Sequence, residues 1–173
     1  MQTSSQRGAR LISAAGRGDI ESVRTYIEDS NMLRTQDDET GLFPGWTPLH
    51  WAARNGHIEI VRLLLDEGDR TGSGEIPLVS IVDGDGDTAL HVAVSWGQQT
   101  VVDLLFDRGG SLIAKNNDGK SPLDLASTEF RGHLAAVAGL TGPGGDVEKS
   151  RRHHAESQGN NATSTTGARK KLM

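Results

Sequence analysis

The feature that most constrains this chain is that it repeats itself. Residues 45–68 read GWTPLHWAARNGHIEIVRLLLDEG, and residues 86–109 read GDTALHVAVSWGQQTVVDLLFDRG. A third copy opens with GKSPLDLAS at Gly119. The offset is 41 residues from Thr47 to Thr88 and 33 from Thr88 to Ser121. A fainter copy, LISAAGRGDIESVRTYI, occupies residues 11–27. At a shift of 38 its Ala14, Ala15, Gly18, Ile20, Glu21, Val23 and Arg24 fall on Ala52, Ala53, Gly56, Ile58, Glu59, Val61 and Arg62. Units of this size cannot bury an apolar face alone, so they must stack on one another.

Each copy specifies two helices. Thr47, Thr88 and Ser121 place a hydroxyl where it caps a helix start. Pro48 and Pro122 then take the first helical position, where the missing N–H costs nothing. Ala52, Ala93 and Ala126 allow close packing along that short helix, and Gly56 and Gly97 end it in the left-handed conformation glycine favours. The second helix carries Ile58, Val61, Leu64 and Leu65, or Val101, Val102, Leu105 and Phe106, at three-to-four spacing. Gly68 and Gly109 are expected to terminate it. Asn117-Asp118-Gly119 is a turn sequence leading to the next unit. The expected class is all-α.

Composition narrows the function classes. The hydrophobic share is 35% and aromatics are 4%, while 22 of the 173 residues are glycine. Small aliphatic residues must therefore do the packing. With no cysteine, disulfides, thiolate zinc sites and a cysteine nucleophile are excluded. No apolar run approaches the ~18 residues of a membrane span, and the N-terminal residues lack the layout of a secretory signal. A cytoplasmic, possibly nuclear, location is expected.

Charge divides the chain. Residues 1–140 hold 12 Lys and Arg against 20 Asp and Glu, whereas residues 141–173 hold six against three. An acidic body is a poor ligand for phosphate backbones, so nucleic acid is not an expected partner. The basic tail, residues 141–173, has no apolar period and is expected to be disordered, as are residues 1–7 to be flexible.

The segments TPLHWAARNGHIEIVRLLL and TALHVAVSWGQQTVVDLLF, with the 33-residue spacing, resemble the ankyrin repeat. The resemblance covers roughly residues 8–140. It implies a solenoid of about four units, near 8–40, 41–81, 82–114 and 115–140, with hairpin fingers projecting at one edge. It also implies a concave face, made of fingers and first helices, that binds partner proteins. Against that pattern the longer spacings mark insertions at 36–44 and 69–85. The second insertion reads as a lengthened loop in which Val79-Ser80-Ile81-Val82 forms a short strand or tucks inward. In the last unit Asp124 stands where the pattern has histidine, and Gly132 is expected to interrupt the second helix. The first and last units read as caps.

Several residues invite chemistry. His50 and His91 form the most tempting pair. The resemblance gives them a bracing role instead, bonding to backbone and to the threonine hydroxyl three residues before, Thr47 or Thr88. Asp83-Gly84-Asp85-Gly86-Asp87 opens like a calcium loop, yet the sixth and twelfth positions hold Thr88 and Val94 where glycine and glutamate are needed. An exposed turn is the better reading. Gly142-Pro143-Gly144-Gly145 lacks the Gly-Lys-Ser/Thr of a phosphate loop. No catalytic residue, metal site or cofactor is expected.

Trp46, Trp51 and Trp96 fall where the family varies, on the finger or concave side. Either they pack beneath the inserted loops or they anchor a partner, a role in which tryptophan is enriched. With Asp83, Asp85 and Asp87 alongside, they suit a partner segment bearing apolar and basic residues. The expectation is a non-enzymatic adaptor or scaffold that binds another protein and is monomeric alone. The alternatives are a regulatory or assembly subunit, or a nucleic-acid-associated factor, acting through the tail.

Overall fold

In a computed structural model of the chain, residues 4–27, 30–37, 43–71 and 76–139 are described. First and second helices alternate: α1 (Ser4–Arg17) with α2 (Ile20–Tyr26), α3 (Pro48–Arg54) with α4 (Ile58–Thr71), α5 (Ala89–Ser95) with α6 (Gln99–Asp107), and α7 (Pro122–Leu125) with α8 (Thr128–Val137). Short 3-10 turns lie at Ser30–Arg34 and Leu78–Ser80. The described residues contain no strand, only the isolated antiparallel bridges Asp37–Trp46 and Val82–Thr88. The eight helices of the described residues lie within residues 1–138.

Cap chemistry explains where these helices begin. Thr88 Oγ1 accepts from the His91 backbone N–H at 3.4 Å, and Ser121 Oγ accepts from that of Asp124 at 3.3 Å. Pro48 and Pro122 sit in the first turn of α3 and α7. Gly18, Gly56 and Gly97 follow the first helices with φ of +79°, +73° and +70°, a region that a side chain disfavours.

The helices pack like on like. α1 stacks on α3, α3 on α5 and α5 on α7, while α4 lies against α2 and α6. Alanine at the stacking surface (Ala15, Ala52, Ala53, Ala89, Ala93) is wholly buried, with Leu11, Leu64, Leu90, Leu105 and Leu134 filling between. Small residues let first helices approach closely, and the leucines supply the apolar burial that two helices alone lack.

The stack is also bonded. Gly16 carbonyl accepts from Asn55 Nδ2 at 2.8 Å and His57 Nε2 at 3.2 Å, and Arg54 carbonyl accepts from Gln98 Nε2 at 2.9 Å. The helix-end carbonyls that an α-helix leaves open thus find donors in the following unit. Successive fingers meet backbone to backbone: Gly84 N–H donates to Pro44 carbonyl at 2.8 Å, and Asn117 N–H to Asp85 carbonyl at 3.0 Å. A Cβ on Gly84 would stand 2.9 Å from the Pro44 oxygen, so that approach requires glycine.

Three expectations are corrected, and an alternative left open by the sequence is resolved. Gly68 does not terminate α4, which runs on to Thr71. A Cβ there would overlap the Leu78 side chain, so this glycine makes room for the second insertion. Gly132 does not interrupt α8 either; it faces open space within a continuous helix. Residues 4–7 are the first turn of α1 instead of a flexible end. Within the second insertion Leu78 and Val79 tuck into the core, and Val82 forms a single bridge with Thr88 in place of a strand. The tail, residues 141–173, lies outside the described residues, as does most of the insertion at 36–44.

Candidate functional site

His50 and His91 are fully buried, each at the third position of its helix. The Thr47 backbone N–H donates to His50 Nδ1 at 3.2 Å, with Thr47 Oγ1 2.8 Å from the same nitrogen. Nδ1 is therefore an acceptor, and the proton on Nε2 is donated to Asp87 carbonyl at 3.0 Å in the next finger. His91 repeats this: Thr88 N–H donates to Nδ1 at 3.1 Å, and Nε2 points at the carbonyls of Ala114, 3.2 Å away, and Lys120, 3.3 Å away. Burial lowers the His50 pKa and keeps the ring neutral. Both nitrogens of each ring are committed to structure, which leaves neither as a base or ligand.

Asp124 does the same work with different atoms. Its carboxylate accepts from Ser121 N–H at 2.9 Å and Ser121 Oγ at 2.7 Å, and it pairs with Lys115. Lys115 and the two Ser121 donors hold its pKa well below the ordinary carboxylate range.

The three finger aspartates are unlike one another. Asp83 is buried, and its Oδ1 accepts from the backbone N–H of Asp85 at 2.9 Å and Asp87 at 2.8 Å. It shapes the finger from inside and does not present charge to a partner. Asp87 is half-buried and accepts from Asn116 Nδ2 at 2.7 Å; burial raises its pKa. Asp85 alone of the three is exposed.

The tryptophans separate too. Trp46 is 4% exposed at the base of its finger, so it is a packing residue and not an open anchor. Its ring stands 4.3 Å from Phe43 and 5.0 Å edge-on from Trp51, and Phe43 meets Trp51 edge-on at 5.4 Å. Such geometries suit the ring quadrupoles. Trp51 is half-buried on α3, and Trp96, at the end of α5, is 51% exposed.

Arg54 joins these two helices. Its guanidinium carbon lies 4.3 Å from the Trp96 ring centre, 5.1 Å from Phe43 and 5.5 Å from Trp51. These are cation–π distances. Phe43 and Arg54 were not singled out from the sequence. A signal was present: Trp96 stands one unit on from Asn55, the residue after Arg54, so stacking places it against Arg54.

Trp51 also lines a groove of about 620 Å³ between α1, residues 35–37 and α3. Ala9, Ile12, Gly16 and the Trp51 ring give it a largely apolar wall. Among the described residues no group of three His, Asp or Glu is arranged to hold a metal ion, and no helix is long and apolar enough to cross a membrane.

Comparison with known proteins agrees with this architecture. A family profile described as "Ankyrin repeats (3 copies)" matches residues 11–116 and 78–151. The ankyrin repeat and KH domain-containing protein mask of Drosophila melanogaster is 34% identical over 70% of this chain and 3% of its own length. The NAD-capped RNA hydrolase NUDT12 of Homo sapiens is 40% identical over 56% of this chain and 18% of its own. Ankyrin repeat and SOCS box protein 11 of Danio rerio is 32% identical over 54% of this chain and 40% of its own. The chain thus spans well under half the length of each of these relatives.

Proposed function

This chain belongs to the ankyrin repeat family, and from that premise we propose that it acts as a non-enzymatic adaptor or scaffold, binding a partner protein across the first helices and fingers. Repeats of this kind generally mediate protein–protein interaction. Similar regions also occur within enzymes, as the name of the hydrolase NUDT12 states. The reading for this chain rests on its own side chains: both ring nitrogens of His50 and of His91 are spent on bracing.

The observation that carries the proposal is Trp96, a half-exposed ring at the end of α5 held against the Arg54 guanidinium of the preceding unit. A tryptophan fixed before binding has little entropy left to lose, which is what an anchor needs. The test is site-specific photo-crosslinking in cells with the full chain. A crosslinking residue at position 96 should give a discrete protein adduct, and the same residue at Arg62, exposed on α4, should not. Adducts only from Arg62, or only from residues 141–173, would refute the proposed face.

A further inference from the structure

The first helices carry a charge pattern opposite to that of the chain. α1, α3 and α5 contain no acidic residue, and their charged side chains are Arg7, Arg10, Arg17 and Arg54. The acids of the described residues lie instead on second helices, in fingers and turns and on α7, many of them already bonded. Arg108 pairs with Asp66 and Asp69, Arg70 with Glu67, and His133 with Asp103.

Arg54 is not bonded in this way. Its side chain makes no hydrogen bond or ion pair with any described residue and is held by the faces of Phe43, Trp51 and Trp96. Its Nε is sealed from solvent without an acceptor, whereas its two Nη groups are not among the sealed atoms. A guanidinium fixed by stacking, with its outer N–H groups free, is preorganised for a carboxylate. Trp51, whose ring centre lies 5.5 Å from the Arg54 guanidinium carbon, also lines the apolar groove.

We propose that the occupant of this face is an acidic peptide segment of the partner protein, with one carboxylate seated on Arg54 and a nearby aliphatic side chain in the groove between α1 and α3. The inference rests on the interaction reading above and specifies the partner's chemistry. It replaces the apolar and basic segment expected from the sequence. Asp83 and Asp87 were the main argument for basic residues, and both accept hydrogen bonds inside the finger region.

The test is selection of a random dodecapeptide phage library on the full chain, followed by fluorescence polarisation with the enriched peptides. Enrichment of Asp or Glu near Leu, Ile or Val is expected. Arg54→Met should weaken those peptides by roughly 10- to 100-fold, the scale of a charge-assisted pair. Arg54→Lys should weaken them less, and Arg62→Met should leave them unchanged. Thermal melts accompany each variant. Should Arg54→Met unfold the chain, Arg54→Glu paired with a Lys-for-Glu peptide gives an independent readout, because binding is regained only if the two side chains meet. Basic or uncharged consensus peptides would overturn the inference while leaving the interaction reading intact. Acidic peptides insensitive to every Arg54 variant would overturn it too, as would an empty selection. Crosslinking at position 96 judges the interaction reading separately.

Discussion

At the scale of single residues, one position of the repeat is solved twice, by a buried histidine in two units and by an exposed aspartate in the last. His50 and His91 join their own threonine to the next unit, and Asp124 ties Ser121 to Lys115. His91→Ala would leave Thr88 N–H and the Ala114 and Lys120 carbonyls without their partner. We expect a loss of about 1–3 kcal/mol, measured by chemical denaturation, on the scale of unmade buried hydrogen bonds. Burial holds the His50 pKa below its ordinary 6.5, so the unfolded chain takes up that proton first. The stability it contributes is complete above pH 6.5 and is lost as pH falls toward the folded-state value. The melting temperature should therefore drop as the pH falls below 6.5, and His50→Gln should start lower but flatten that slope. Asp87, raised by burial, acts in the opposite sense, nearer the carboxylate range. The Thr-x-x-His spacing made the braces legible in the sequence. The burial of Trp46 and Asp83 was not legible, because it depends on Phe43 and on finger backbone that no local pattern encodes.

Among the elements, glycine is the residue whose meaning the sequence leaves most open. Gly56, Gly97 and Gly109 end helices with positive φ, whereas Gly68 and Gly132 lie inside α4 and α8. The letters are identical, and only conformation and neighbours tell them apart. In α8 nothing stands within 4 Å of an added Cβ at Gly132, so Gly132→Ala should stabilise by about 0.5–1 kcal/mol through backbone entropy alone. In α4 the same change meets Leu78. Gly68→Ala should therefore gain less than Gly132→Ala, and the shortfall should vanish in a Leu78→Ala background, as a double-mutant cycle would measure. Helix pairing itself was readable throughout, since capping residues and apolar spacing recur in register. The insertions were less so, because once the repeat lapses the sequence leaves open whether residues 79–82 form a strand or tuck inward.

For the molecule as a whole, net charge proved a poor guide to its faces. An acidic total conceals three first helices, α1, α3 and α5, without a single acid, and only stacking brings Arg54, Trp51 and Trp96 together across two units. The bonds between units have a further consequence. Those at Gly16, Arg54, Pro44, Asp85 and Ala114 each tie a unit to its immediate neighbour. Disturbance then passes along the chain as it does along a zipper, entering from an open end and stopping where neighbours hold on both sides. Native-state hydrogen exchange followed by mass spectrometry should show this as a gradient. The amides of α3 and α5, clasped from two directions, should exchange most slowly, and those of α8 should exchange first. Uniform protection across all eight helices would instead mean that the molecule opens in one step, with every unit releasing its neighbours at once.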